Sequence, residues 1–195
     1  MMKKFSFFLT CILLLSATVL IGCKDNENDK DATPATAVET NDANKGQAFI
    51  DDDSETPNAL RLAMESEDHT TLVAAVQAAG VENALVNVGP LTVFAPTNAA
   101  FDKLPEGTVE DLLKPENKSK LAYILKNHVA PSNYPVDMLE KNIEKGRTLY
   151  MASGENVEVS KDGEDIIVGG SKIVGTVKVS NGWVHITEEV ILPKE

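Results

Sequence analysis

Two cysteines, one tryptophan and three histidines are all that this 195-residue chain offers of the side chains most used for disulfides, aromatic anchors and metal ligation. Aromatic residues make up 5% of it, so any core must be mainly aliphatic. No Gly-x-Ser-x-Gly elbow and no phosphate-binding glycine loop with its lysine occurs. His69, His128 and His185 stand far apart, without the close pairing seen in zinc and haem motifs. No metal and no cofactor is therefore expected. With 30 acidic residues in the chain, carboxylate pairs arise everywhere and identify no catalytic dyad. These absences point away from an enzyme and toward a protein that works by binding.

What is present begins at the N-terminus. Met1-Met2-Lys3-Lys4 leads into a mostly apolar run from Phe5 to Ile21, diluted by Ser6, Thr10, Ser16 and Thr18. That run falls short of the roughly 20 apolar residues a membrane-spanning helix needs. A basic start, a short apolar core and a small residue before the break form an export signal. Leu20-Ile21-Gly22-Cys23 resembles the bacterial lipoprotein processing box, in which the chain is cut before the cysteine and that residue is acylated. Cys23 is thus the expected lipid attachment. Cys11 lies in the removed part, so the mature chain keeps one cysteine and no disulfide framework. One buried acyl chain holds weakly, whereas two or more anchor stably.

Without Lys3 and Lys4, sixteen basic residues face 30 acidic ones, leaving about −14. Such a balance argues against nucleic acid and against electrostatic attraction to anionic lipid. Lys24 to Thr56 carries three lysines, ten acidic residues and few large apolar side chains besides Phe49 and Ile50. It cannot bury enough apolar area to offset its ordering entropy, and reads as a flexible tether. Asp51-Asp52-Asp53 lacks the glycine turn and terminal glutamate of a calcium loop, so it reads as a solvated charge run. The expected organisation is a removed signal over 1–22, a lipidated cysteine and acidic tether over 23–56, and one folded domain over 57–195. The lysine and acids directly after Cys23 also resemble signals that carry some bacterial lipoproteins to the outer face of the cell. The outer membrane of a bacterial envelope is the expected location.

The folded part opens with helical spacing. "DHTTLVAAVQAAG" places Leu72, Val73, Val76 and Ala79 on one face, with Asp68 or Thr70 as cap and Gly80 as stop. "LTVFAPTNAAFDKLP" reads as a strand, a turn at Pro96 and a helical turn bearing Phe101 and Leu104. Phe94 and Phe101 read as core aromatics on either side of that turn, with Thr97 and Asn98 satisfying nearby amides. Thr108 to Asp111 approximates a capping box before Leu112 and Leu113, and Pro115 ends that helix. Leu121, Ile124, Leu125 and His128 share a helical stripe, which makes His128 a hydrogen-bonded core residue. The last third alternates: Val157 and Val159 precede an Asp162-Gly163 turn. Asn181-Gly182 joins a hairpin whose second strand carries Trp183 and His185, with His185 near Trp183. Helices first and strands last give an α+β class. The chain shows no internal repeat, and the domain is long enough to stand without covalent staples.

"TVFAPTNAAFDKLP" (Thr92 to Pro105) is similar to the first signature of fasciclin domains, and "NGWVHITEEVILP" (Asn181 to Pro193) to the second. "LLKPENKSKLAYILKNHV" between them resembles the family's central helix. The resemblance implies a wedge of two β-sheets flanked by N-terminal and central helices, and extracellular work in adhesion or matrix binding. Relatives that bind integrins often carry tyrosine before the histidine, where this chain has Asn127, and others carry Asp-Ile where it has Val177-Lys178. No integrin motif carries over. The expected partner is therefore an undetermined protein or polysaccharide of the matrix or a neighbouring cell. The alternative is a carrier of an apolar or tetrapyrrole ligand, which needs an enclosed apolar pocket reached by His128 or His185.

Overall fold

The computed structural model describes residues 56–86 and 89–193. Cys23, the signal segment and the tether up to residue 55 lie outside them. The helices come first: α1 (Ala59–Glu65), α2 (Thr70–Ala79), α3 (Glu82–Val86), α4 (Asn98–Asp102), α5 (Thr108–Leu112), α6 (Lys118–Lys126) and α7 (Val136–Glu144). Strands β1 (Leu91–Pro96) and β2 (Val129–Ala130) interrupt them. Then follow β3 (Leu149–Tyr150), β4 (Asn156–Val157), β5 (Val159–Asp162), β6 (Asp165–Val168), β7 (Ser171–Val179) and β8 (Gly182–Thr187).

A curled six-stranded sheet runs β2-β1-β8-β7-β6-β5, and β3-β4 form a small second sheet. The class is α+β, as the sequence implies. The sheet is mixed, because β1 pairs in parallel with β8 from Leu91↔Gly182 to Pro96↔Thr187. The long β7 curls it. Ser171 and Lys172 of β7 pair with β6, while the rest pairs with β8 across an irregularity between Ile173 and Gly175.

β1 is buried along its whole length, and its alternation feeds two cores. Leu91, Val93 and Ala95 join α1, α2 and α6 in one apolar cluster. Phe94 faces the other, with Leu139, Leu149, Met151, Val168 and Ile191. Phe101 belongs to the first cluster, so the two phenylalanines around Pro96 serve different cores, not one. Pro96 is itself the last residue of β1, paired with Thr187.

Local capping differs from the sequence reading at several points. Neither Asp68 nor Thr70 caps α2. Asn98, from the start of α4, accepts the Thr71 N–H at 3.0 Å and the Thr70 hydroxyl at 3.2 Å, and donates to the Glu67 carbonyl at 2.9 Å. A side chain distant in sequence thus satisfies the orphan donors of the helix. Ala75 takes the buried place on α2, and Val73 is only half-buried. The Gly80 stop adopts the left-handed conformation expected of it (φ 66°). Thr97 caps α4 by accepting from the Ala100 N–H at 3.3 Å. The capping box at Thr108 does not form, because Gly107 holds the cap position at φ 81° and Thr108 is already helical. Leu112 is buried there and Leu113 exposed.

Candidate interaction surface

The three histidines are the groups on which chemistry or ligation would be expected, and all three are buried. His128 follows α6, whose Leu121, Ile124 and Leu125 are buried as the stripe requires. Its Nδ1–H donates to the Ile124 carbonyl and its Nε2 accepts the Ile191 N–H, both at 2.9 Å. Only a neutral ring does both, and burial holds its pKa down to about 4. His185 uses the opposite tautomer: Nε2–H donates to the Tyr134 carbonyl at 2.7 Å and Nδ1 accepts from the Thr176 hydroxyl at 2.9 Å. Its ring stacks on Phe94 with centroids 5.5 Å apart, two residues along β8 from Trp183. Burial lowers its pKa, against the opposing pull of the Tyr134 carbonyl.

His69 pairs Nδ1 with the Ser66 hydroxyl at 2.7 Å, and burial lowers its pKa against the opposing charge of Asp68. Its buried Nε2 has no hydrogen-bond partner. The Ala95 carbonyl is near enough to favour the protonated ring, yet outside hydrogen-bonding geometry. Among the described residues, no three His, Cys, Asp or Glu side chains group to hold a metal.

Asn181 and Gly182 serve structure in a way their turn motif does not announce. Val179 pairs with Gly182, so the turn itself is Ser180-Asn181. Asn181 Nδ2 donates to the Leu85 carbonyl at 2.8 Å and Oδ1 accepts the Ala59 N–H at 3.1 Å. Its own carbonyl takes the Leu91 N–H at 3.0 Å. One residue therefore joins α1, α3, β1 and the hairpin. Gly182 opens β8 at φ 148°, and a Cβ there would overlap the Leu91 carbonyl oxygen. The other hairpin shifts likewise: Asp162 pairs with Asp165, which makes Gly163-Glu164 the turn.

The cavities bear on the carrier alternative. Beside His128 the free volume is about 20 Å³, room for a single water and far below what a tetrapyrrole needs. A cleft of about 250 Å³ opens where Asn127, Glu155, Val157, Gly169 and Leu192 meet. It is partly polar. Asn127 forms its floor, fully buried, accepting from the Ser153 hydroxyl at 2.9 Å and donating to the Ile191 carbonyl at 3.3 Å. At its rim Glu155 accepts the Tyr123 hydroxyl at 2.6 Å. Leu192 and Tyr123 are exposed there, at 53% and 38%. Asn127 therefore stands behind the surface rather than on it. Tyr123, one helical turn earlier, is an aromatic that reaches solvent; the i, i+4 spacing from Ser119 to Tyr123, off the apolar stripe, is the signal for it in the sequence.

A family model for the fasciclin domain matches residues 67–193. Protein sll1483 of Synechocystis sp. is 42% identical over 134 residues, covering 69% of this chain and 72% of that protein. Immunogenic protein MPB70 of Mycobacterium bovis is 35% identical over 156 residues, covering 76% and 75% respectively. Transforming growth factor-beta-induced protein ig-h3 of Sus scrofa is 33% identical over 139 residues, 70% of this chain but 20% of that protein. Among solved structures, a domain pair of the insect cell adhesion molecule Fasciclin I is similar with a TM-score of 0.48 and 21% identity, covering 69% of this chain and 45% of that one. The chain belongs to the fasciclin-domain family.

Proposed function

We propose that this chain is a lipid-anchored binding module of a bacterial cell envelope, acting in adhesion or matrix interaction through one fasciclin domain. In this reading residues 1–22 are a removed signal, Cys23 carries the lipid, residues 24–56 are the tether and residues 57–195 are the domain, held at the outer membrane. The observation that carries the binding role is membership in the fasciclin family over 67–193. Its support from the site is chemical: the imidazoles of His128 and His185 are occupied by internal hydrogen bonds, so neither ring is free to hold a ligand. No helix among the described residues is long and apolar enough to cross a membrane, and the Leu-Ile-Gly-Cys box supplies attachment by other means.

Two experiments test the reading separately. Cys23→Ser is expected to abolish acylation and leave the protein uncut or released. A variant that still partitions into detergent with a mature-sized, acylated N-terminus overturns the anchor. The mature chain is expected to retain an envelope or matrix component from surface extracts, and to show no visible absorbance as purified. A chromophore that copurifies stoichiometrically overturns the binding-module role in favour of a carrier.

A further inference from the structure

The exposed face of α6 has a composition found nowhere else along the described helices. Its nine residues, KSKLAYILK, contain three lysines and no acid, in a chain with a net charge of −12. Six basic residues elsewhere sit within ion-pair distance of a carboxylate: Arg61, Lys103, Lys114, Lys141, Lys161 and Lys172. Lys118 lies against the C-terminal turn of α2, its ammonium 3.2 Å from where a Cβ on Gly80 would stand, and there it complements the carbonyl end of that helix. Lys120 and Lys126 have no such engagement. Asp111 is the acid that feels Lys120, and it is already tied to Lys114 and Asn117.

Lys120, Tyr123 and Lys126 follow at spacings of three, so they form one stripe about 9 Å long at 1.5 Å rise per residue. All three are exposed. Tyr123 is fixed in orientation by donating its hydroxyl to Glu155, an interaction that also raises its pKa and keeps it a phenol. An exposed ring pinned at its oxygen, with a lysine three residues to either side, suits an acidic sugar polymer. The ring stacks on the C–H face of a sugar while the ammonium groups meet its carboxylates.

Resting on the binding-module reading above, we propose that the Lys120–Tyr123–Lys126 stripe docks an acidic polysaccharide of the uronic-acid type. A flat anionic membrane fits less well. Leu113 is the exposed aliphatic nearby in sequence, and one such side chain gives no apolar face to insert into lipid.

The test uses the mature chain and polygalacturonate, with neutral dextran and phosphatidylglycerol vesicles as comparisons. Binding to polygalacturonate is expected at low salt, weakening as sodium chloride rises. Lys120→Gln with Lys126→Gln is expected to weaken it about tenfold, from two contacts of exposed charges, with an unchanged melting temperature, and the corresponding arginine pair is expected to restore it. Tyr123→Ala is expected to weaken binding without changing the salt dependence. The proposal is overturned by no binding to polygalacturonate, by equal binding to dextran, by preference for the vesicles, or by glutamine or alanine variants that bind as well as the parent. If the glutamine variant still captures the same envelope component as the parent, the binding-module reading stands and only the stripe falls.

Discussion

His128 accepts the amide hydrogen of Ile191 at 2.9 Å, across 63 residues of sequence. An imidazole thus stands where a neighbouring strand would otherwise supply a carbonyl. Asn127 binds the Ile191 carbonyl from the adjacent position, so both polar groups of a fully buried residue depend on one dipeptide.

His128→Ala should therefore cost stability, by roughly 2–4 kcal/mol. The loss combines a stranded Ile191 amide with a cavity where the ring was, while the Ile124 carbonyl keeps the Asn127 N–H. Urea unfolding measures it. An unchanged midpoint accompanied by a lost partner would make His128 a binding residue instead.

Acid should act through the same ring. The folded pKa is about 4 and an unfolded histidine titrates near 6.5, so between these values the unfolded chain binds the extra proton. Stability is then complete above about pH 6.5, falls as pH drops toward 4, and loses nothing further from this group below that. The window corresponds to roughly 3 kcal/mol. His185 and His69 are shifted the same way and reinforce the direction. Denaturant midpoints from pH 4 to 7 should rise with pH, and His128→Ala should flatten part of that slope.

Gly182→Ala should be among the most damaging single substitutions, costing at least about 3 kcal/mol. The added carbon would collide with the Leu91 backbone, and φ 148° is strained for any other residue. Low soluble yield and a large fall in melting temperature are the expected readouts. Wild-type stability would mean that β1 and β8 separate at that end.

Asn98→Ala should destabilise by about 1–2 kcal/mol, the range for losing a helix cap, although Asn98 is not in the helix it caps. Asn98→Asp should recover part of this, since an acceptor for Thr71 remains while the donor to Glu67 is lost. Thermal melts of the two variants compare the halves of the interaction.

A chain shortened to begin just before Thr56 should melt within about 4 °C of the mature protein, because among the described residues the two core clusters draw on 59–191. A larger loss would assign Phe49 and Ile50 a place on the domain.

Period and punctuation made several elements legible: α2 with its Gly80 stop, the α6 stripe ending at His128, and the β7–β8 hairpin. These depend on neighbours within a few residues. What stayed hidden depends on partners distant in the chain. The cap of α2 comes from Asn98, the role of Asn181 lies in Leu85 and Ala59, and the division of Phe94 from Phe101 follows from burial of β1 on both faces. Local signals also misled where a competing residue won, as when Gly107 displaced Thr108 from the cap. The hairpin turns each moved by one position because strand pairing, not the Asn-Gly or Asp-Gly pair alone, sets the register. On the candidate surface the tyrosine was legible only as an exposed helical position, since its bond to Glu155 joins residues 32 apart.

The parallel pairing of β1 with β8 has a kinetic consequence. Leu91 cannot meet Gly182 until about ninety intervening residues have been made, and the ring of contacts around Asn181 closes at the same moment. The chain must cross a high loop-closure barrier late, so refolding should be slow for its size. During synthesis the same topology withholds the central sheet until the last strand has emerged. On the export reading proposed above, a nascent chain of this design is still open when its N-terminus is presented to a pore too narrow for a folded domain.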